Sequence, residues 1–390
     1  YGEASTYKGV DYSENTPHPV HLIDLFSTNN NSVKHFQVTF SLEYSDTATG
    51  AVTEDTTTQE NSVEFTIFNG MLQPDNVLTL NNYNYGFNMD TANLYMNDTD
   101  SKFLSNAPTT QYARLTDYGT MPFLNFFPEV GSGSATVNKV NRITIKLYNS
   151  AGAQLGSDIN VNQNWTNGGQ TTNSSRSNRN LMYFGAFPAN FDGGYIKKPS
   201  TYADWNTHKA NVSYYTLQAK DDSGALISQL YTFNIVSNAC LGYEAVRLCW
   251  LNQWGTWDYY TFRMKSVRTI STNRVSYNQL HGNWNSNVFT TNGYQGGKKN
   301  LLTNNTERIR ISTDFINEEE AIWFEELNNS LEVYIVKEFQ TDTSETVTNR
   351  YIEPVTITDA SYTRKTIEND KKISYMFNIE KSKMKRTHKA

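Results

Sequence analysis

The chain has 390 residues, of which 18% are charged and 13% aromatic, with a net charge of -6 and an isoelectric point near 5.6. A typical globular protein is about 25% charged, and this chain holds Asn and Thr instead, which favour turns and strands over helices. The composition argues against a helical bundle, a coiled coil and a doubly wound enzyme. The acidic balance gives no broad electrostatic basis for binding nucleic acid.

Little in the sequence points to a membrane or an oxidising compartment. No window approaches the roughly 18 consecutive apolar residues of a membrane span, and Tyr1 to Ala4 lack the basic start and apolar run of a signal peptide. Cys240 and Cys249 are too few for a disulfide scaffold or a four-thiolate zinc site. We expect two buried thiols, and a disulfide between them is the alternative.

Alternating apolar and polar residues predict hairpins in the N-terminal part of the chain. Residues 36–44 place Phe, Val, Phe, Leu and Tyr at every second position, which predicts a half-buried strand of an antiparallel sheet. The alternation recurs at 143–147 and 215–219, and these strands run into turns at 149–153 and 221–225 that contain Asn or Asp and Gly. Such units are typical of β-sandwich hairpins.

Residues 162–180 consist almost entirely of Asn, Gln, Ser, Thr and Gly, with Trp165 as the one large apolar side chain. A segment of this composition buries too little surface to fold by itself, so we predict a linker or long surface loop and a domain boundary there. The aromatic residues of 80–135 have no clear period, and they fit either a core or an aromatic contact surface.

The C-terminal part predicts one helix among short strands. Asn317 can cap a helix whose first turn holds Glu318, Glu319 and Glu320, with Glu320 completing a capping box. Strands are predicted at 308–311, 333–336, 355–357 and 373–379.

These patterns predict a mainly β fold of tandem antiparallel β-sandwich domains, followed by a C-terminal sheet domain with one short helix. The predicted parts are a sandwich domain at 1–161, a linker at 162–180, a second sandwich domain at 181–256, and a C-terminal domain at 257–390 with its helix at 317–328.

The sequence predicts no catalytic, cofactor-binding or metal site, and we expect a protein that is not an enzyme. Gly293–Lys299 lacks the spacing of a phosphate loop, so it predicts a mobile loop. Asp98–Asp100 lacks the Gly and the distal Glu of a calcium loop, so it predicts a surface turn. The six histidines have no zinc spacing, Gly131–Ser134 is not a nucleophile elbow, and Glu318–Glu320 are first-turn helix acids rather than a glycosidase pair.

Residues 249–262 form the most aromatic segment of the chain. Their pattern predicts a buried strand, a tight turn at Asn252–Gly255 and a second strand from Trp257. Trp250, Trp254 and Trp257 fit two interpretations, a core or hinge and a platform on which sugar rings stack.

The segment Arg247–Phe262 resembles a WLN-x-x-G-x-x-DYYTF signature of virion structural proteins of tailed bacteriophages, particularly contractile-tailed phages of aquatic bacteria. Residues 319–330, the Val-Tyr pair at 333–334 and Pro-Val-Thr-Ile-Thr-Asp at 354–359 are similar to a second stretch of the same proteins. The resemblance is good over 240–380 and loose over 18–70.

The resemblance implies a tail or baseplate component without enzymatic activity or cofactor, assembled into the virion in the host cytoplasm. Its partners would be other virion proteins and copies of itself in a ring-like homo-oligomer, with no nucleic acid and no membrane span. The alternative is a carbohydrate- or receptor-binding β-sandwich module, a phage adhesin or a secreted glycan-binding protein that contacts a host surface glycan. An enzyme such as a depolymerase is the third hypothesis.

Overall fold

Strands account for most of the regular structure, and the chain divides into two compact units. The first comprises Tyr1–Ser237, Cys249–Thr261 and Glu338–Tyr351, and the second comprises Asn238–Leu248, Phe262–Lys337 and Ile352–Ala390. The computed structural model describes residues 26–29, 33–36, 38–45, 47–62, 65–68, 70–71, 87–88, 93–96, 98–126, 140–162, 181–191, 202–221, 223–236, 243–283, 287–337, 352–359, 361–363 and 373–383.

The first unit contains two five-stranded sheets. One has the order β1-β12-β9-β7-β6, with β1 (Phe26–Asn29), β6 (Phe87–Asn88), β7 (Asn93–Tyr95), β9 (Thr120–Phe126) and β12 (Leu181–Gly185). The other has the order β11-β10-β13-β14-β8, with β8 (Thr110–Ala113), β10 (Arg142–Tyr148), β11 (Gln154–Asn162), β13 (Tyr214–Lys220) and β14 (Tyr231–Ile235). Strand β8 runs parallel to β14, whereas β10 runs antiparallel to β11 and β13.

Shorter elements complete the first unit. Two strand pairs are β2 (Val33–Phe36) with β5 (Phe65–Phe68), and β3 (Thr39–Ser45) with β4 (Val52–Asn61). Two short helices are α1 (Pro188–Phe191) and α2 (Ala203–His208).

Aromatic side chains connect the two five-stranded sheets into a sandwich-like core. Phe103 packs edge-on against Phe123 of β9, with ring centroids 5.9 Å apart, and against Tyr231 of β14, with centroids 5.1 Å apart. The hydroxyl of Tyr215 on β13 donates to the carbonyl oxygen of Ala186 at 2.7 Å. Because edge-to-face aromatic contacts and a satisfied hydroxyl are favourable in a dry interior, this layer explains much of the aromatic composition.

The third sheet has seven strands in the order β16-β15-β19-β20-β21-β18-β17. They are β15 (Val246–Leu251), β16 (Trp257–Phe262), β17 (Val267–Gln279), β18 (Gly297–Ser312), β19 (Val333–Val336), β20 (Ile352–Ile357) and β21 (Met376–Lys381).

Helix α3 (Glu318–Asn329) covers the core of the second unit. Its buried Phe324 packs against Phe377 of β21 and Phe262, with ring centroids 5.8 and 6.0 Å apart. The Asn317 side chain accepts the N–H of Glu320 at 2.7 Å, and the Glu320 carboxylate accepts the N–H of Asn317 at 2.8 Å. The capping box and the helix that the sequence predicts from Asn317 are confirmed.

The prediction of a mainly β fold built from antiparallel sheets is confirmed. The bounds of the compact units differ from the predicted domain bounds. Strands on the two sides of 162–180 share sheets, because β9 pairs with β12 and β10 pairs with β13.

Candidate functional site

The Trp-rich motif forms a buried hairpin. Strands β15 and β16 supply the predicted strand, turn and strand, and Trp250, Trp254 and Trp257 are 0%, 2% and 4% exposed. A sugar ring can stack only on an aromatic face that solvent reaches. Burial therefore favours the core interpretation of this cluster over the sugar platform.

The turn between β15 and β16 is organised by the buried side chain of Asn252. Its Oδ1 accepts the backbone N–H groups of Trp254 at 3.0 Å and Thr256 at 3.1 Å. Its Nδ2 donates to the carbonyl oxygen of Leu104 at 3.0 Å and to Oδ1 of Asp258 at 3.1 Å. The amide is thus satisfied on both its donor and its acceptor side, as a buried amide must be.

Two further hairpins use the same turn. The N–H of Asn149 donates to the carbonyl oxygen of Ala153 at 3.0 Å, and the N–H of Asp221 donates to that of Ala225 at 3.0 Å. In both turns the side-chain Oδ1 of the first residue also accepts the N–H of the fifth. The fourth residue of all three turns is a glycine with positive φ: Gly152 (+77°), Gly224 (+87°) and Gly255 (+69°).

Strands β17 and β18 form an antiparallel ribbon that extends beyond the seven-stranded sheet. Strand β17 pairs with β18 along its whole length, whereas β21 pairs with β18 only at Arg308–Ser312. The stretch from Ile270 to Gln279 extends about 30 Å, and among the described strands β18 is its one neighbour. We call residues 267–312, which comprise β17, β18 and their connection, the arm.

One face of the arm combines apolar and cationic side chains. Directly opposed residues of antiparallel strands lie on the same face, which places Val275 with Leu302, and Tyr277 with Lys299. Val275, Tyr277 and Leu302 are 49%, 43% and 37% exposed. The exposed Arg308 belongs to the same face, which we call the outer face.

The opposite, inner face of the arm is cationic as well. Near the sheet it carries the buried core residues Ile309 and Ile311, and farther out it carries Arg274 and Lys298. Within the residues that the structure describes, Arg274 and Lys298 form no ion pair. The arm sequence contains six Lys and Arg residues and one acid, Glu307.

The tip of the arm exposes more apolar surface. Large exposed side chains in the connection between β17 and β18 are those of Leu280, Val288, Phe289 and Tyr294. Gly282 has a φ of +87°, and a Cβ atom there would collide with the ring of Phe289. Gly282 therefore allows this ring to lie against the backbone of the tip.

A row of alternating charges crosses the sheet at the base of the arm. Nζ of Lys337 lies 2.8 Å from Oε2 of Glu353, and Nζ of Lys381 lies 3.3 Å from that same oxygen. Oε1 of Glu307 lies 3.4 Å from both Nζ of Lys381 and Nη1 of Arg268. The row follows the strand order from β19 to β17.

The charge row alters the acidity of Glu353. Burial raises the pKa of this carboxyl, but the hydrogen bond and charge of Lys337, together with the charge of Lys381, outweigh burial. The pKa of Glu353 therefore lies below its usual range, and the carboxylate is ionised at neutral pH.

A second exposed ribbon, formed by β3 and β4, has the opposite charge. Residues 38–62, which we call the acidic hairpin, contain five Asp and Glu residues and no Lys or Arg. Phe40, Leu42 and Tyr44 lie on one face and are 60%, 68% and 56% exposed. The half-buried strand predicted here is wrong in its burial, because no other described element covers this apolar face. Glu60 lies opposite Phe40, and Asp55 lies opposite Leu42.

A groove lies on the solvent-facing side of the β10–β13 pair. It has a volume of about 360 Å³ and is lined by alternate residues of the two strands, among them Lys146, Tyr148, Gln218 and Lys220. The ring of Tyr148 is stacked on that of Tyr214, with centroids 4.8 Å apart. The groove thus offers one aromatic stack and two cations, of which Lys146 pairs with Asp158 at 3.4 Å.

The remaining sequence candidates are distributed over the fold. The surface turn predicted at Asp98–Asp100 is confirmed, since Oδ1 of Asp98 accepts the N–H of Asp100 at 2.9 Å. The mobile loop predicted at Gly293–Lys299 is wrong from Gly297 onward, where β18 begins. Cys249 is buried in β15. The following lie outside the described residues: His18, His21, His388, Cys240, Gly131–Ser134 and residues 163–180.

Sequence analysis predicted only the base of the arm, as the short strand at 308–311. Farther out both strands are mostly polar and exposed, so the alternation there is too weak to predict a ribbon. The available signal was the unusual run of cations between residues 268 and 310 in an acidic chain.

Within the described ranges, no group of three His, Cys, Asp or Glu side chains could hold a metal ion. None of the helices that the structure describes is long and apolar enough to cross a membrane. Comparisons of the chain with protein-family models, with curated proteins and with solved structures find no match.

Proposed function

We propose that this chain is a non-enzymatic structural component of a tailed-phage virion, in the tail or baseplate, that acts through protein–protein interfaces. The observation that carries the proposal is the arm, a ribbon about 30 Å long whose outer face exposes Val275, Tyr277 and Leu302 beside Lys299. Apolar side chains gathered on one exposed face, with charges around them, are typical of a surface that a protein partner covers.

The resemblance to phage virion proteins also supports the proposal, because the signature residues have structural roles in this fold. Asn252 organises the turn, and Asp258 accepts its amide. The hydroxyl of Tyr259 lies 3.0 Å from that of Thr120, and the hydroxyl of Thr261 donates to Asp117 at 2.9 Å. A signature that preserves a buried hairpin fits a structural protein.

The direct test is mass spectrometry of purified particles of the virus that encodes the chain. We expect the chain in particles and in the host cytoplasm during assembly. Its absence from particles, with normal particle morphology after deletion of its gene, would contradict the proposal.

A matched pair of variants tests the arm. Replacing Val275, Tyr277 and Leu302 with Ser removes the apolar side chains from the far part of the outer face, and we expect at least about a tenfold loss of incorporation. Replacing Thr272, Ser276 and Asn278 with Ala changes the inner face by the same number of residues and should have little effect. Equal incorporation of the two variants would exclude the outer face as an interface.

A second candidate function is carbohydrate or receptor binding, and the groove on β10 and β13 favours it. The stacked Tyr148 and the cation Lys220 suit an acidic sugar, which an aromatic face and a cation would hold, while Lys146 beside them is paired with Asp158 at 3.4 Å. Glycan-array binding that is lost in Tyr148→Ala and kept in Trp257→Phe would establish this function. A wild-type chain that binds no glycan on the array would exclude it.

A further inference from the structure

The acidic hairpin and the arm are both exposed two-stranded ribbons with an apolar face. Their charges are opposite, so the two surfaces suit each other. We propose that the acidic hairpin of one copy docks on the outer face of the arm of a second copy. The inference rests on the proposed function, because it identifies one partner of the interfaces proposed above.

Each surface exposes large apolar side chains at alternating positions of a two-stranded ribbon. On the hairpin they are Phe40, Leu42 and Tyr44. On the arm they are Val275, Tyr277 and Leu302. Burying two such stripes against each other removes apolar surface from water on both copies.

The charges beside the apolar side chains indicate that a hairpin, rather than a second arm, docks on the arm. Asp55 and Glu60 lie on the apolar face of the hairpin. Lys299, Arg308 and Arg310 lie on the outer face of the arm, where Arg308 also pairs with Glu380 of β21. Opposite charges beside two apolar stripes favour this contact and speed up association. A contact between two arms, or between two hairpins, would bring like charges together, which is unfavourable.

The two surfaces differ, so the contact joins different patches of the two copies. Each copy carries one hairpin and one arm, and both remain available for further neighbours. Contacts of this kind generate a closed ring when the rotation closes and a filament when it does not.

The test uses charge reversals on the full chain, with association measured by sedimentation and light scattering. Lys299→Glu with Arg308→Glu reverses the outer face, and Asp55→Lys with Glu60→Lys reverses the hairpin. We expect each double variant to dissociate at least about tenfold more readily than the wild type. The matched controls are Arg274→Glu with Lys298→Glu on the inner face and Glu43→Lys with Glu54→Lys on the other hairpin face, and both should associate.

Mixing the two charge-reversed variants should restore association, and a misfolded variant could not produce this result. The first variant offers an acidic arm and an acidic hairpin, and the second offers a basic arm and a basic hairpin. We expect each to be monomeric alone and the mixture to assemble with alternating copies. Assembly should weaken as salt rises from about 0.1 M to about 1 M, since the Debye length falls from about 10 to about 3 Å.

Three results would overturn the inference: a wild-type chain that stays monomeric, a hairpin reversal without effect, and a mixture that does not assemble. The first would indicate docking within one chain or on another protein, and the second would indicate another occupant of the arm. A monomeric chain found in particles would overturn this inference and leave the proposed function standing. A chain that associates through these surfaces but is absent from particles would contradict the proposed function and leave this inference standing.

Discussion

Nζ of Lys381 lies 3.4 Å from Oε1 of Glu307, and both side chains are 8% exposed. The pair continues the core-facing side of the sheet, on which Ile379 and Ile309 are buried. From Glu307 toward Gly297, β18 is no longer paired with β21, and the arm extends past the sheet. The ion pair therefore lies where the arm leaves the core of the second unit.

We expect Lys381→Met to lower the free energy of unfolding by about 2–4 kcal/mol, because it leaves Glu307 and Glu353 incompletely compensated in a buried position. Urea unfolding of the variant and the wild type measures this loss. Arg308→Met provides the control, since its pair with Glu380 is largely exposed and contributes about 0–1 kcal/mol. Equal losses of unfolding free energy in both variants would show that burial does not strengthen the ion pairs of the charge row.

The lowered pKa of Glu353 predicts a loss of stability in acid. A carboxyl with a lowered folded-state pKa stabilises the fold when the pH is above its unfolded-state pKa of about 4.3. This contribution disappears as the pH falls through the folded-state pKa. Between about pH 6 and pH 3, the unfolding free energy should therefore fall more steeply for the wild type than for Glu353→Gln. Parallel profiles would be inconsistent with the ionic role of Lys337 and Lys381.

Glu320 provides a control, because its pKa is shifted in the opposite direction to that of Glu353. Burial raises the pKa of this carboxyl, and the nearby Asp314 and Glu319 add to that effect, although the backbone hydrogen bond from Asn317 lowers the pKa. A raised folded-state pKa means that stability falls as pH rises through this range. Glu320→Gln should therefore remove a destabilisation that appears above about pH 4.3, and its profile should diverge from the wild type toward neutral pH.

Features that depend on neighbouring residues could be predicted from the sequence. The capping box needs Asn317 and Glu320 alone, and the hairpin turns need an Asx residue and a glycine at fixed spacing. Alternation of side chains in β10 and β13 predicts two faces, and the buried Ile145 and Leu217 lie directly opposite each other.

Features that depend on residues distant in the chain could not be predicted from the sequence. The burial of Asn252 requires the carbonyl of Leu104, which is 148 residues away in the chain. Phe40 and Leu42 alternate as a covered strand would, but alternation does not say which element covers a face. Where the arm extends past β21, neither of its faces is fully covered, and that part of its strands has no alternating burial for the sequence to show.

Asn317→Ala should destabilise the chain by about 1 kcal/mol, because α3 loses the acceptor for the N–H of Glu320. Denaturation monitored by helical circular dichroism measures the loss. Asn317→Ser keeps a capping oxygen and should retain most of the stability. If Ala and Ser were equivalent, the cap would have no role in holding α3.

Asn252→Ala should be the most damaging single change in the Trp-rich hairpin. It removes the acceptor of two backbone N–H groups and the donor to Leu104 and Asp258, and the groups left behind remain buried, so we expect a loss of about 3 kcal/mol. Asn149→Ala is the matched control, because the bonds described for Asn149 stay within its own turn, and about 1 kcal/mol is expected there. Asn252→Asp separates the two roles, since the carboxylate still accepts but cannot donate and adds a like charge beside Asp258. Unfolding followed by Trp fluorescence should rank the stability of Asn149→Ala above that of both position-252 variants, and any other order would contradict the assigned role of this amide.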